Sequence, residues 1–415
     1  MQTIPFPETT VTPTRPRLQA LPPLSLYIHI PWCVRKCPYC DFNSHELRPG
    51  TAARADQAPD AVALPEREYV AALVADLESS VPDVWGRRVS SIFFGGGTPS
   101  LLSARAVDDI LSAVRARLVV EPDAEVTLEA NPGTAEAHKF AGFRAAGVNR
   151  LSIGIQSFNP AHLKALGRIH DDREAHRAIE LAQDHFDNFN LDLMYALPQQ
   201  TPAQALDDLQ QAIAAGAPHI SAYHLTLEPN TYFARFPPSL PDDDCAAQMQ
   251  ESIEARLIAA GYRHYETSAF AQNERESRHN LNYWTFGDYL GIGAGAHSKL
   301  SFPDRIERMM RHKHPRAYLE HTIAGTPIQQ RDQVASADLP FEFMMNALRL
   351  NDGVPLASFS ERTGLPLSAT LRALGQARSR GLIEADPVLL RPTGKGRRFL
   401  NDLLQLFLPE ARAAG

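Results

Sequence analysis

The chain has 415 residues, of which 44% are hydrophobic and 21% charged, with a formal net charge of −7. That length exceeds one ordinary domain, the composition is that of a globular protein, and the negative balance argues against a general nucleic-acid binder. No long apolar run occurs and the Pro- and Thr-rich start lacks a basic segment followed by an apolar one, so neither a spanning helix nor a signal peptide is expected and the protein reads as cytoplasmic.

Residues 1–23 read as a disordered tail. From residue 24 to about 240 a short apolar strand, a loop and an amphipathic helix recur. Candidate strands are Ser25–Ile30, Ser91–Phe94, Glu125–Glu129, Leu151–Ile155, Asn190–Tyr195 and His219–Leu225. Helical patterns lie between them at Tyr69–Ser79, Ala104–Leu118 and Arg173–Phe186. Alternation of this kind builds a parallel sheet with crossover helices, and six units without a dinucleotide fingerprint after the first strand suggest an α/β fold of the partial (βα)6, TIM-like barrel type. Residues 47–65, rich in Ala, Pro and Asp, read as a mobile surface loop. Residues 241–334 form an extension that opens with a helix from Cys245 to Ala260, stops at Gly261 and then turns less regular. Residues 335–415 read as an α-rich, winged-helix-like domain, with helices at Phe341–Leu350, Leu356–Thr363, Ser368–Arg380 and Arg397–Leu408. Its ten basic and eight acidic side chains are too balanced to imply DNA binding.

Three of the four cysteines fall in YIHIPWCVRKCPYC, a C-x3-C-x2-C run directly after the first strand. Thiolates suit zinc and iron–sulfur clusters alike, but a structural zinc site needs a fourth ligand and no second cysteine pair exists. Cys245 stands alone and reads as a small buried hydrophobe. Cys33, Cys37 and Cys40 would leave one iron of a four-iron cluster open to a chelating ligand. This spacing resembles the signature of the radical S-adenosylmethionine superfamily. The resemblance implies a [4Fe-4S] cluster whose open iron binds S-adenosylmethionine.

Other polar residues collect at the carboxyl ends of the strands, where barrels of this kind keep their functional groups. The second strand runs into Gly95, Gly96, Gly97, Thr98 and Pro99; glycines there fit a tight turn or a close backbone approach to a ligand. Glu129 ends the third strand, Gln156 the fourth, Arg168 follows near a helix end, and Asp192 lies in the fifth. Singly, such an Arg or Asp is most simply a salt bridge. GIGAGAHS at 291–298 is rejected as a dinucleotide loop for want of a preceding strand and a following helix, which leaves a backbone ligand contact or a compact turn.

Together YIHIPWC, GGGTPS, LEANPGT, GIQSF, LDLMYALP and HNLNYW resemble the anaerobic coproporphyrinogen III oxidase family, and within it the haem-chaperone (HemW-like) branch. By that resemblance Tyr27, Tyr39, Gly96, Gly97, Thr98, Glu129, Gln156, Arg168 and Asp192 correspond to S-adenosylmethionine contacts. Two features separate the branches. The oxidases carry a further cysteine two residues after the third ligand, where this chain has Phe42. The chaperone branch carries H-N-x-x-Y-W, present as His279, Asn280, Tyr283 and Trp284, which supplies an imidazole, a phenol and aromatic walls suited to haem. An ordinary packed His/aromatic cluster would have the same composition, and His297 is a further candidate haem contact. The resemblance implies haem transfer to acceptor haemoproteins and an electron donor for the cluster, with peripheral membrane contact open during delivery. A radical oxidative decarboxylase of coproporphyrinogen III and a haem-degrading radical enzyme are the alternatives.

Overall fold

The structure, a computed structural model, describes residues 15–47 and 64–409, so the first 14 residues and nearly all of the expected surface loop lie outside it. Six strands, β1 (Leu24–Ile30), β2 (Arg88–Gly96), β3 (Val119–Ala130), β4 (Arg150–Gln156), β5 (Phe189–Tyr195) and β6 (His219–His224), pair in sequence order and all in parallel. The helices Glu66–Ser80, Ala104–Arg117, Phe140–Ala146, Asp172–His185, Pro202–Ala214 and Asp243–Ala259 follow them in turn. This is the expected (βα)6 arrangement, with bounds shifted by a few residues.

The strand sequences explain what faces where, because successive side chains alternate between the two faces of a strand. In β4 to β6 the apolar alternates Leu151, Ile153, Leu191, Leu193 and Ile220 belong to the main core, together with Ile179 and Leu209 of the covering helices. The other alternates, Arg150, Ser152, Gln156, Asn190, Asp192, His219 and Ser221, line a cavity on the concave side. The side of the cavity formed by β4 to β6 is therefore largely polar. Local signals agree with the fold: Asp171 with Glu174, and Thr201 with Gln204, form capping boxes at two of the helix starts.

Residues 262–333 depart from expectation. They hold six strands, β7 (Arg263–Glu266), β8 (Ala269–Ala271), β9 (Asp288–Ile292), β10 (His297–Phe302), β11 (Arg305–Arg311) and β12 (Ile328–Gln333). The strands extend both edges, giving the order β12-β11-β10-β9-β1-β2-β3-β4-β5-β6-β8-β7. β9 runs parallel to β1, whereas β10 to β12 and β7 to β8 add antiparallel. Short strands with charged residues on an open face, such as IQQRDQ in β12, lack the apolar alternation that would reveal them. The reading of GIGAGAHS is corrected in one respect: a strand, β9, does precede it. The segment after it is strand β10, not a helix, so no dinucleotide loop forms. Gly293 and Gly295 there take φ of +104° and +79°, as a compact turn requires.

The C-terminal region packs a second core around Phe343, Phe359, Leu374 and Leu403, joined by Tyr265, Phe286 and Ile306 from the sheet region. Its order is helix Leu339–Ala347, strand Val354–Pro355, helices Ser358–Thr363 and Leu371–Ser379, then strand Leu389–Leu390 pairing back on the first strand, the sequence of a winged helix. The expected last helix is two short ones, Gly394–Arg398 and Leu400–Gln405, interrupted at half-exposed Phe399. Cys245 is half-buried against the main core. Among the described residues no helix is long and apolar enough to cross a membrane.

Candidate functional site

A cavity of about 550 Å³ runs down the barrel from the carboxyl ends of the strands. At its mouth lie Cys33, Cys37 and Cys40, on the loop that leaves β1. That loop is held at both ends, because Trp32–Cys33 pairs in parallel with His45–Glu46. Thr98 Oγ1 donates to Cys33 Sγ at 3.4 Å, Ser44 Oγ lies 3.7 Å from Cys40 Sγ, and Arg168 Nη1 donates to Cys37 Sγ at 3.8 Å. Burial pushes the free Cys33 thiol up to about 11 and raises that of Cys40, so ligation by these sulfurs must release protons. Among the described residues no three His, Cys, Asp or Glu side chains close on one ion-sized point. Thiolates sharing one tetrahedral zinc at 2.3 Å would stand about 3.8 Å apart; a four-iron cluster needs a wider triangle. The donor set, three thiols around one cavity with no fourth, fits that cluster.

The glycines after β2 are needed for close backbone approach. A Cβ on Gly97 would stand 2.5 Å from Trp32 O, and Gly96 takes φ of +112° with the His29 ring beneath it. Gly97 N and Thr98 N donate to Ile30 O and Trp32 O at 2.7 and 2.8 Å, tying this turn to the cysteine loop. Asn131, not singled out from the sequence, is the hub of the mouth. Its Nδ2 donates to Thr98 Oγ1 at 3.0 Å, and its Oδ1 accepts from Arg168 Nη2 at 2.8 Å. Only its place after Glu129 at a strand end pointed to it. Arg168 also donates to Gly154 O at 2.7 Å, while its Nε is buried with no partner. Gln156 closes β4 with φ of +68°, a strained value for a side-chain-bearing residue, as is common at ligand sites. Tyr39 and Phe42 flank the mouth, and Phe42 is 59% exposed.

Lower down, Glu129 accepts from Gly96 N at 3.2 Å. Burial pushes its carboxyl up to about 8, and the Asp192 carboxylate adds to the shift while the Gly96 N–H opposes it. Asp192 is itself raised by burial, although Asn190 and Ser152 donate to it at 2.8 and 3.1 Å. Tyr27 lies beside them, 3.1 Å from His29 Nδ1.

The floor of the cavity is helix Arg278–Trp284, whose start is held by Glu125. The two Glu125 oxygens accept from Arg278 N at 3.2 Å and His279 N at 3.1 Å. His279 is stacked on Phe93 at 4.9 Å and edge-on to Tyr283 at 5.1 Å. Its Nδ1 lies 3.0 Å from Ser91 Oγ, and its Nε2 is buried without a partner. Burial lowers its pKa to about 3, so the ring is neutral. His279, Asn280 and Tyr283 line the cavity, but Trp284 does not. Five residues of helix place it about 140° around from His279, where it joins the second core under Arg349 at 4.3 Å. His297 is exposed and outside the cavity lining. The structure thus brings the three cysteines, the residues matched to S-adenosylmethionine contacts, His279, Asn280 and Tyr283 to one cavity, and leaves Gly95, the 291–298 segment, Trp284 and His297 outside its lining.

Two family models match the chain: the radical SAM superfamily over residues 27–212 and the HemN C-terminal domain over residues 334–399. Heme chaperone HemW of Escherichia coli (strain K12) is 49% identical over 392 residues, covering 94% of this chain and 99% of that protein. Heme chaperone HemW of Haemophilus influenzae is 48% identical, with coverage of 94% and 99%. Heme chaperone HemW of Mycobacterium tuberculosis (strain ATCC 25618 / H37Rv) is 35% identical, with coverage of 95% and 97%. Among solved structures, coproporphyrinogen III oxidase (HemN) from Escherichia coli superposes with a TM-score of 0.75 over 95% of this chain and 90% of that one, at 23% identity, a likeness of fold. The chain belongs to the HemW family of radical S-adenosylmethionine proteins.

Proposed function

We propose that this protein binds haem and passes it to acceptor haemoproteins in the cytoplasm, under the control of a [4Fe-4S] cluster liganded by S-adenosylmethionine. The observation that carries the reading is one cavity that has thiols at its mouth and the His279, Asn280 and Tyr283 face at its floor. The relatives' name points the same way, and Phe42 leaves the cavity rim without the further thiol of the oxidases.

Superfamily membership implies the cluster and S-adenosylmethionine, and when bound they supply a reducible centre beside a cleavable sulfonium. Cys33, Cys37 and Cys40 would ligate the cluster. Arg168, whose Nε–H is unspent and whose Nη1 reaches Cys37, would pair with the carboxylate of S-adenosylmethionine. Gly96, Gly97 and Thr98 shape the wall, and Glu129, Asp192, Gln156, Tyr27 and Tyr39, which line the same cavity, would hold the rest of the molecule. An electron donor must reach the mouth, which the half-buried cysteines permit.

Glu129 makes this testable by pH. A carboxyl held up to about 8 is mostly protonated at neutral pH, whereas a bound cation favours the ionised form. S-adenosylmethionine affinity should therefore rise with pH, by up to about tenfold per unit, and level off above about 8. Glu129→Gln should flatten this profile in calorimetric titrations; an unchanged slope would remove Glu129 from the contact set.

Haem binding itself is tested by titrating haem into the anaerobically reconstituted protein. A saturable Soret shift is expected, with His279→Ala weakening affinity about tenfold or more. No shift in the parent protein would overturn the reading.

A further inference from the structure

The floor of the cavity holds two buried groups whose hydrogen-bonding capacity is not used. Arg150 opens the strand that Gln156 closes, about 20 Å along it from the mouth. It is 2% exposed, lines the cavity, and its Nε has no hydrogen-bond partner. The neighbouring carboxylates are committed elsewhere. Glu125 Oε2 stands 3.9 Å from Arg150 Nε, too far for a hydrogen bond, and both Glu125 oxygens accept backbone N–H groups. Asp192 has both oxygens occupied by Asn190 and Ser152. The Glu125–Arg150 pair balances charge, but it does not satisfy the guanidinium, and a buried unsatisfied donor is costly.

His279 is the second group, and its tautomer follows from a chain of bonds. Asn282 Nδ2 donates to Ser25 Oγ at 2.9 Å, Ser25 Oγ is 2.8 Å from Ser91 Oγ, and Ser91 Oγ is 3.0 Å from His279 Nδ1. Ser25 and Ser91 are fully buried. With Asn282 donating, the Ser25 hydroxyl has Ser91 as its acceptor, and the Ser91 hydroxyl then donates to Nδ1. The opposite order would leave the Ser25 hydroxyl hydrogen without an acceptor in the core. The proton assigned in this way sits on Nε2. The unpartnered Nε2 of this cavity-lining residue thus carries an N–H, without the lone pair that an iron ligand would use.

We propose that Arg150 and the Nε2–H of His279 form a carboxylate subsite at the cavity floor, which holds a propionate side chain of the tetrapyrrole. Identification of the carboxylate as a tetrapyrrole's rests on the haem reading above; the subsite itself rests on the two unused donors. A guanidinium with a second N–H beside it matches a carboxylate's two oxygens. It follows that His279 serves haem as a side-chain anchor and iron takes its axial ligand from another group. Asn190 Oδ1 accepts from His219 Nδ1 and Ser221 Oγ at 2.7 and 3.0 Å, which keeps those neighbouring polar groups occupied.

The test uses the full-length, anaerobically reconstituted protein with S-adenosylmethionine. Haem, haem dimethyl ester and iron-free protoporphyrin IX are titrated against parent, Arg150→Met and His279→Gln. The parent should prefer haem over the ester by about 30-fold, since charge-assisted bonds are lost on esterification. Iron-free protoporphyrin IX keeps both carboxylates, so Arg150→Met should weaken it by about the same factor as it weakens haem. Arg150→Met should erase the preference for haem over the ester. His279→Gln, which keeps an amide N–H and leaves the Arg150–Glu125 pair intact, should retain part of it and leave the Soret position of bound haem unmoved. Equal affinity of the parent for haem and ester, or a moved haem spectrum in His279→Gln with the ester preference intact, overturns the proposal. If no tetrapyrrole binds, the haem reading fails, and the subsite is judged by sodium propionate alone. Millimolar propionate should raise the thermal midpoint of the parent but not of Arg150→Met; no rise in the parent overturns the subsite as well.

Discussion

Cys37→Ala protein, reconstituted anaerobically with iron and sulfide, should retain less than about a quarter of the iron held by the parent and lose the broad visible absorbance of the cluster. Three thiolates from one chain are the minimum that hold a cubane while leaving one iron for a small ligand, so two leave a second iron unprotected. The same loss is expected for Cys33 and Cys40, for different structural reasons. Cys33 is fixed by the short ladder with His45–Glu46 and by Thr98. Cys37 accepts a hydrogen bond from Arg168 Nη1. Cys40 lies next to Ser44. Cys245→Ala is the control, because that residue sits on the helix Asp243–Ala259, away from the cavity lining, and its iron content should equal the parent's. Retention of full iron by Cys37→Ala would remove the three-cysteine cluster from this protein.

Much of this site was legible in the sequence because its signals are local. The C-x3-C-x2-C run, the glycines after β2 and the strand-end residues Glu129 and Gln156 each follow from one strand and the turn after it. Apolar alternates in β1 to β6 located the strands to within a few residues. What stayed hidden depends on pairing over long separations. β9 is five residues long and pairs with β1, from which the whole length of the six-strand barrel separates it in sequence. The polar alternates Arg150, Ser152, Asn190, His219 and Ser221 are visible as a pattern, yet only closure of the sheet shows that they share one interior. Trp284 parts from the motif for the opposite reason: six residues look like one unit, whereas helical geometry sends the last of them to a different core. Asn131 was passed over because an Asn before Pro–Gly reads first as a turn residue.

The largest effect on stability is expected at a residue with no sequence signal at all. Asp76, in the helix Glu66–Ser80, is fully buried and accepts from Arg311 Nε at 3.2 Å, Gly293 N at 3.1 Å and Tyr318 OH at 2.8 Å. Arg311, also fully buried, spends its other nitrogens on Ser298 Oγ and Ser80 Oγ at 2.8 and 2.7 Å. Asp76→Ala strands a guanidinium in the core and should cost about 3–5 kcal/mol, read as a lowered urea midpoint. Asp76→Leu combined with Arg311→Met removes both charges and should recover a large part of that loss. The network also reaches the cluster. It holds the turn at Gly293–Ala296, whose Ala294 N donates to Tyr69 OH at 2.9 Å, while Tyr69 OH donates to His29 O at 2.7 Å. Asn43, three residues after Cys40, donates to Ala294 O and Lys313 O at 3.0 and 2.9 Å. Loosening the turn therefore frees the far end of the cysteine loop. Asp76→Ala should lose its reconstituted cluster to a chelator faster than the parent, at a temperature where circular dichroism shows it still folded. An equal rate of loss would mean that the cysteine loop is held by Thr98 and the ladder at Cys33 alone.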